Sequence, residues 1–288
     1  MLKASSKEIA AAKSLAPQPV SPTNAGRFAK LCRADKVLLS AGATVLGSTA
    51  LFGLSPLAIG IPAGAFLAVL ADAVFRPSSG TFYPTVSHGR RDRRQIALTF
   101  DDGPDAETTP RVLDTLARHT ARATFFVIGR NLERTLSLGE RTVREGHELG
   151  NHSWRHAHWQ NFYVTRAHLA DIERNERLIQ SMTQRLSPPL YRAPVGLKSP
   201  EFARAAHKKA LTVVAWSVHS RDTIDDDARR VSRRVLSRVQ PGDIILMHDG
   251  HPTPGRHRLS ASDALPFVLE GLRERGLEPV TVSELLQA

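Results

Sequence analysis

The chain has 288 residues, enough for one or two domains, and its 41% hydrophobic and 23% charged content is that of a folded globular protein, which excludes disorder as the default. A single cysteine, Cys32, excludes an internal disulfide framework and cannot form a metal site alone. The formal net charge of +11 would suit nucleic acid or an anionic membrane. The arginines are scattered, however, and no zinc-finger spacing, helix-turn-helix or RNA-binding aromatic signature accompanies them, so nucleic acid is not expected as a partner.

Residues 1–36 are polar and basic, with Pro17, Pro19 and Pro22, and read as a flexible basic arm. The character changes over residues 37–76. An uncharged run from Val37 to Leu54 is followed, after Ser55-Pro56, by a second from Leu57 to Phe75 that is interrupted only by Asp72. Each run is about 20 residues long, the length that crosses a bilayer, and Ser-Pro is a natural turn between them. The expected element is a transmembrane helical hairpin, with Gly60 and Gly64 spaced for close helix approach. Lys30, Arg33 and Lys36 precede the pair, while Arg76, Arg90, Arg91, Arg93 and Arg94 follow it. The positive-inside rule then puts both ends, and the domain that follows, on the cytoplasmic side of the inner membrane. If only one run spans, that domain is periplasmic.

From residue 90 to residue 288 apolar, β-branched runs alternate with amphipathic stretches. The expected strands are Gln95–Phe100, Ala123–Ile128, Glu148–His152, Leu190–Ala193, Leu211–Ser217, Asp243–His248 and Pro279–Val282. Helices are expected at Thr109–Arg118, Thr165–Thr183, Ser199–Ala210, Asp226–Arg238 and Ser262–Arg275. Such alternation gives an α/β fold of parallel strands and crossover helices, closed as a barrel or open as a sheet. In either case reactive groups collect at the carboxyl ends of the strands.

Reactive side chains do stand at five of these ends. Asp101-Asp102-Gly103-Pro104 follows the first strand and His152-Ser153-Trp154-Arg155-His156 the third. Arg192, Pro194 and Val195 follow the fourth, Trp216 to Asp222 the fifth, and His248-Asp249 the sixth. Adjacent carboxylates are costly at a buried strand end unless a turn, a partner or a metal accounts for them. His152 and His156 are four apart, a spacing that puts both rings on one face of a helical turn. Two imidazoles, one carboxylate and an open position are the donor set of a catalytic metal site, typical of zinc.

In combination these motifs resemble the polysaccharide deacetylases, the NodB-homology domain of carbohydrate esterase family 4, from about residue 93 to the C-terminus. The resemblance implies a distorted seven-stranded (β/α) barrel, preceded here by the hydrophobic hairpin. It implies metal-dependent hydrolysis of the N-acyl group, acetyl or formyl, of an amino sugar in a glycan or glycolipid. Asp102, His152 and His156 then match the metal ligands and Asp101 the general base. Arg192 matches the cation beside the base, His248 the general acid, and Asp222 the carboxylate that orients it. The backbone N–H of Val195 matches an oxyanion donor, and Pro194, Trp216 and Thr223 stand at the expected substrate pocket. Three positions depart from the family pattern: Val195 where several polymer-active members carry Tyr, and His219 and Thr223 in place of an Asp and a Trp of the fourth motif. They bear on the substrate rather than on the chemistry. A non-catalytic carbohydrate-binding relative at the membrane is the alternative.

Overall fold

The computed structural model describes residues 32–157, 159–183, 189–253, 256–257 and 259–287, so most of the expected basic arm lies outside the described residues. The chain begins there with two helices, α1 (Arg33–Phe52) and α2 (Pro56–Phe75), joined by only three residues. Ser55 starts α2 by accepting the Ala58 N–H, with Pro56 at the first helical position. A groove between the helices is lined by Val37 and Thr44 of α1 and by Val69 and Pro62 of α2, so the pair is antiparallel. Gly60 and Gly64 face open space and take no part in the seam, contrary to the expectation from their spacing. Among the described residues one helix, α2, is long and apolar enough to cross a bilayer, with a mean hydropathy of 2.0. α1 is equally long but carries Arg33, Asp35 and Lys36 in its first turn.

The rest of the chain alternates strand and helix. In order it forms β1 (Thr85–Val86), β2 (Gln95–Asp101), α3 (Thr108–Arg118), β3 (Thr124–Val127), α4 (Gly129–Arg134), α5 (Leu136–Arg144) and β4 (Glu148–Asn151). It continues through α6 (Thr165–Thr183), β5 (Leu190–Tyr191), α7 (Pro200–Lys209), β6 (Thr212–Val214), β7 (Val218–His219) and α8 (Ala228–Leu236). β8 (Ile244–His248), α9 (Leu259–Glu274), β9 (Glu278–Val280) and α10 (Val282–Gln287) complete it. The strand order is β1-β6-β5-β4-β3-β2-β8-β7, with β9 beside β2, and every strand pair is parallel.

One departure from the expected strands reveals the shape. The single run Leu211–Ser217 is broken, and its halves β6 and β7 lie at or near opposite ends of the strand order. Only Ala215, Trp216 and Ser217 separate them. Ala215 N donates to Val86 O at the end of β1, and Ser217 N donates to Ile244 O of β8. Three residues can join two sheet ends only if the sheet curls back on itself, as a distorted barrel does.

The barrel also explains why β2 is apolar on both faces. Ile96, Leu98 and Phe100 point outward into a core with Val112 and Leu116 of α3 and with Leu265 and Val268 of α9. Ala97, one residue out of phase, packs inside with Phe126, Val214, Ile244 and Val280. By the two-residue period, Thr99 and Asp101 share the face of Ala97 and look into the barrel.

Candidate active site

Asp101 ends β2, and its Cα is in register with His248 at the end of β8. Both residues are buried. Arg192, just past β5 and fully buried, reaches across the barrel. Its Nη1 donates to Asp101 Oδ1 at 2.7 Å and to Thr99 Oγ1 at 2.7 Å, while its Nη2 donates to Ala215 O at 3.1 Å. The guanidinium lies 4.1 Å over the Phe126 ring, so its remaining surface is packed rather than wet.

Asp102 is outside the strand, with φ of 73°. That left-handed turn sends its carboxylate toward the loop after β4 instead of along the Asp101 direction. His152 Nε2 lies 3.6 Å and His156 Nε2 3.5 Å from Asp102 Oδ1, and the three ligand atoms are within 4.8 Å of one another. All three residues are buried. The two histidines do not share a helical turn, as their spacing had suggested. Ser153 and His156 both have positive φ, the His156 N–H donates to Ser153 Oγ at 2.8 Å, and the rings meet with centroids 4.9 Å apart. A tight loop achieves what a helix was expected to do.

This donor set fits a cation. His152 Nδ1 lies 2.9 Å from Arg192 O, and a carbonyl only accepts, so Nδ1 carries the proton. Burial lowers the His152 imidazole below its ordinary value, leaving the ring neutral. Its Nε2 lone pair therefore points at the oxygens of Asp102 and of Asp101, the latter at 3.7 Å. Lone pairs converging in a buried space repel unless a positive ion sits among them.

His248 faces the same space from β8. Asp222 accepts the His248 backbone N–H at 2.8 Å and its Nδ1–H at 2.9 Å, and Ser220 Oγ donates to the same carboxylate at 2.8 Å. Burial alone would pull His248 down, but the Asp222 charge and hydrogen bond, with Asp102 and Asp101 beyond, raise it to about 9. The ring is thus a cation at neutral pH. The pairing depends on β7, which lies beside β8 and delivers Asp222 to the end of that strand.

Val195 sits in the turn Pro194–Gly196, with φ 50° and ψ 15°, a strained conformation for a β-branched residue. Pro194 is buried beneath the turn, whereas Val195 is 52% exposed. Trp216 is half-buried, 5.7 Å from the Arg192 guanidinium and edge-on to His219 at 5.8 Å. His219 accepts the Arg221 N–H on Nδ1 at 3.0 Å, so its Nε2 carries the proton. Its ring centroid is 6.2 Å from that of His248. Thr223 is half-buried in the turn after Asp222. Asp102, Ser153, His156, Val195 and Arg221 are five of the seven non-glycine residues with positive φ among the described residues, which concentrates backbone strain on these loops.

Several supporting residues escaped the sequence reading. Asn175 of α6 is fully buried, and its amide donates to Val127 O, Asn151 Oδ1 and Ser153 O at 2.9–3.0 Å, pinning the histidine loop to the sheet. Its signal was present: Ile172, Asn175 and Ile179 form the buried stripe of α6, and an amide there needs a partner. Asp249 accepts from Thr109 Oγ1 at 2.6 Å and lies so close to Gly103 that a Cβ there would be 2.3 Å from its carboxylate. Burial raises the Asp249 carboxyl to about 7.

The chain matches the family model for polysaccharide deacetylase over residues 88–214. It is 37% identical over 194 residues to a chitooligosaccharide deacetylase of Bradyrhizobium sp., spanning 64% of this chain and 87% of that protein. Among solved structures, a peptidoglycan N-acetylglucosamine deacetylase superposes with a TM-score of 0.66 at 30% identity, covering 71% of this chain and 93% of the other. A family 4 acetyl xylan esterase from Clostridium thermocellum, crystallised with a cobalt ion, gives a TM-score of 0.59 at 34% identity over 66% of this chain and 89% of that one.

Proposed function

The chain belongs to the polysaccharide deacetylase family and is a hydrolase of amide C–N bonds, and we propose that it removes the acetyl or formyl group from the amino sugar of a glycolipid or cell-envelope polysaccharide. The observation that carries this reading is the pair of opposed buried ion pairs, Asp101–Arg192 and His248–Asp222, facing one space beside the Asp102, His152 and His156 donors.

Those three residues would hold a divalent cation, and two imidazoles with one carboxylate suit zinc. Bound there, the ion would polarise the amide carbonyl and acidify the attacking water. Asp101 takes the water's proton from the strand end that Arg192 holds rigid. The Val195 N–H donates to the carbonyl oxygen as it gains charge, from a turn already bent for the purpose. His248, charged before the reaction begins, gives its proton to the departing amine. Asp222 keeps that ring oriented and stabilises its charged form. His219 offers an Nε2–H donor at the pocket wall, and Val195 and Thr223 leave that wall free of the aromatic platform that several polymer-active members carry.

In this reading α1 and α2 anchor the protein to the inner membrane, with the barrel cytoplasmic because both basic flanks lie on its side of the hairpin. A C-terminal reporter active only in the periplasm would reverse the orientation. The chemistry is tested by Asp101→Asn. It should keep bound metal, measured by elemental analysis, yet lose on the order of 10²–10⁴-fold in deacetylation of a chitooligosaccharide. Unchanged acetate release would remove Asp101 from the mechanism.

A further inference from the structure

We infer that the catalytic mouth lies against the bilayer, so that the substrate is an amino sugar carried on a membrane lipid; this rests on the deacetylase reading above and narrows it. In a parallel βα unit the first turn of each helix stands at the carboxyl ends of the strands. The root of the hairpin binds at that end, beside the start of α7. Cys32, Ala34 and Ala73 pack on Phe82 and on Ala203. Lys198, buried immediately before α7, donates its Nζ to Arg76 O and Pro77 O, and its N–H to Val74 O. The carbonyl end of α2 is thereby tied to the loop that carries Val195.

The contact reaches the reacting centre within one residue. Pro77 closes over Gly196, where a Cβ would stand 2.7 Å from the proline ring and 2.9 Å from Trp216. Gly196 has φ of 74° and directly follows Val195. The end of the membrane-length helix is therefore a wall of the oxyanion turn.

A second element joins this surface. Asp35 of α1 pairs with Arg204 at 2.7 Å, Arg204 pairs with Glu201, and Glu201 accepts the N–H and hydroxyl of Thr165. This relay fixes the loop before α6 beside the hairpin root. That loop exposes Trp159 (65%), Phe162 (90%) and Val164 (65%). Exposed aromatics at the foot of an apolar helix pair, next to Arg33, Lys36 and Arg76, have the composition of a membrane interface. Val195 and Ile224 continue the apolar rim around the mouth. A distant polymer would have to reach a mouth already facing headgroups, whereas a sugar on a lipid is presented there.

The test uses the full chain in phosphatidylcholine–phosphatidylglycerol vesicles. With brominated acyl chains, the emission lost on making Trp159→Phe should be quenched; an unquenched difference overturns the placement. The triple variant Trp159→Ser, Phe162→Ser, Val164→Ser should lose about tenfold on vesicle-borne N-acetylglucosaminyl diacylglycerol. It should stay within about twofold on soluble chitotetraose, since no reacting group is touched. Equal loss on both substrates would make the loop a sugar platform and overturn the proposal. Quenching without hydrolysis of either substrate would instead refute the deacetylase reading and leave the surface placement standing, so the two failures are distinguishable.

Discussion

Replacing Asp222 with Asn removes one charge from the pair that holds His248, the proposed general acid, and it keeps nearly the same shape. In the native chain Asp222 accepts both the Nδ1–H and the backbone N–H of His248, at 2.9 and 2.8 Å. Together with the more distant Asp102 and Asp101 it outweighs burial and lifts the imidazole to about 9. An ordinary histidine titrates near 6.5. At pH 8 a group near 9 is about nine-tenths protonated, whereas one near 6.5 is about 3% protonated, a roughly 30-fold difference in available acid. Burial then works unopposed by Asp222, so the loss in the variant should be at least that large. The assay is the pH profile of kcat/KM for acetate release. The native profile should hold its alkaline limb near pH 9, and the Asp222→Asn limb should fall below pH 7. The sign for stability follows from the same shift. A raised histidine stabilises the fold fully below about pH 6.5, and this contribution, about 3 kcal/mol, is lost as pH rises through about 9. An Asp222→Asn profile that retained its limb near pH 9, or activity at pH 8 within threefold of native, would show that Asp222 does not set the protonation of His248.

Two further perturbations separate metal holding from fold holding. Asn175→Ala frees Val127 O and Ser153 O from their shared donor, so the histidine loop should loosen. We expect a loss of about 1–3 kcal/mol in urea unfolding and weaker zinc binding by titration calorimetry, with the three ligands intact. Arg192→Met strands the Asp101 carboxylate in a buried site, which should destabilise by about 3–5 kcal/mol in the same unfolding assay.

The alternation of strand and helix was legible in the sequence because it follows from short-range periodicity. The helix expected at Thr165–Thr183 is found with those bounds, and β2 follows the run Gln95–Phe100 with one added residue. Local chemistry also singled out Asp101, Asp102, His152, His156, Arg192 and His248, since reactive side chains at successive carboxyl ends need a common reason. What the sequence could not supply is which neighbour each group meets. Asp222 reaches His248 only because the run Leu211–Ser217 breaks and its second half joins β8, a consequence of sheet curling that no local pattern encodes. His152 and His156 converge through left-handed residues, although their spacing alone suggested a helix. Only in the folded chain do residues 119 positions apart, Pro77 and Gly196, close on each other and bring the apolar hairpin to the edge of the site. Residue type and spacing are short-range properties, whereas orientation toward a partner is decided by packing across the whole barrel.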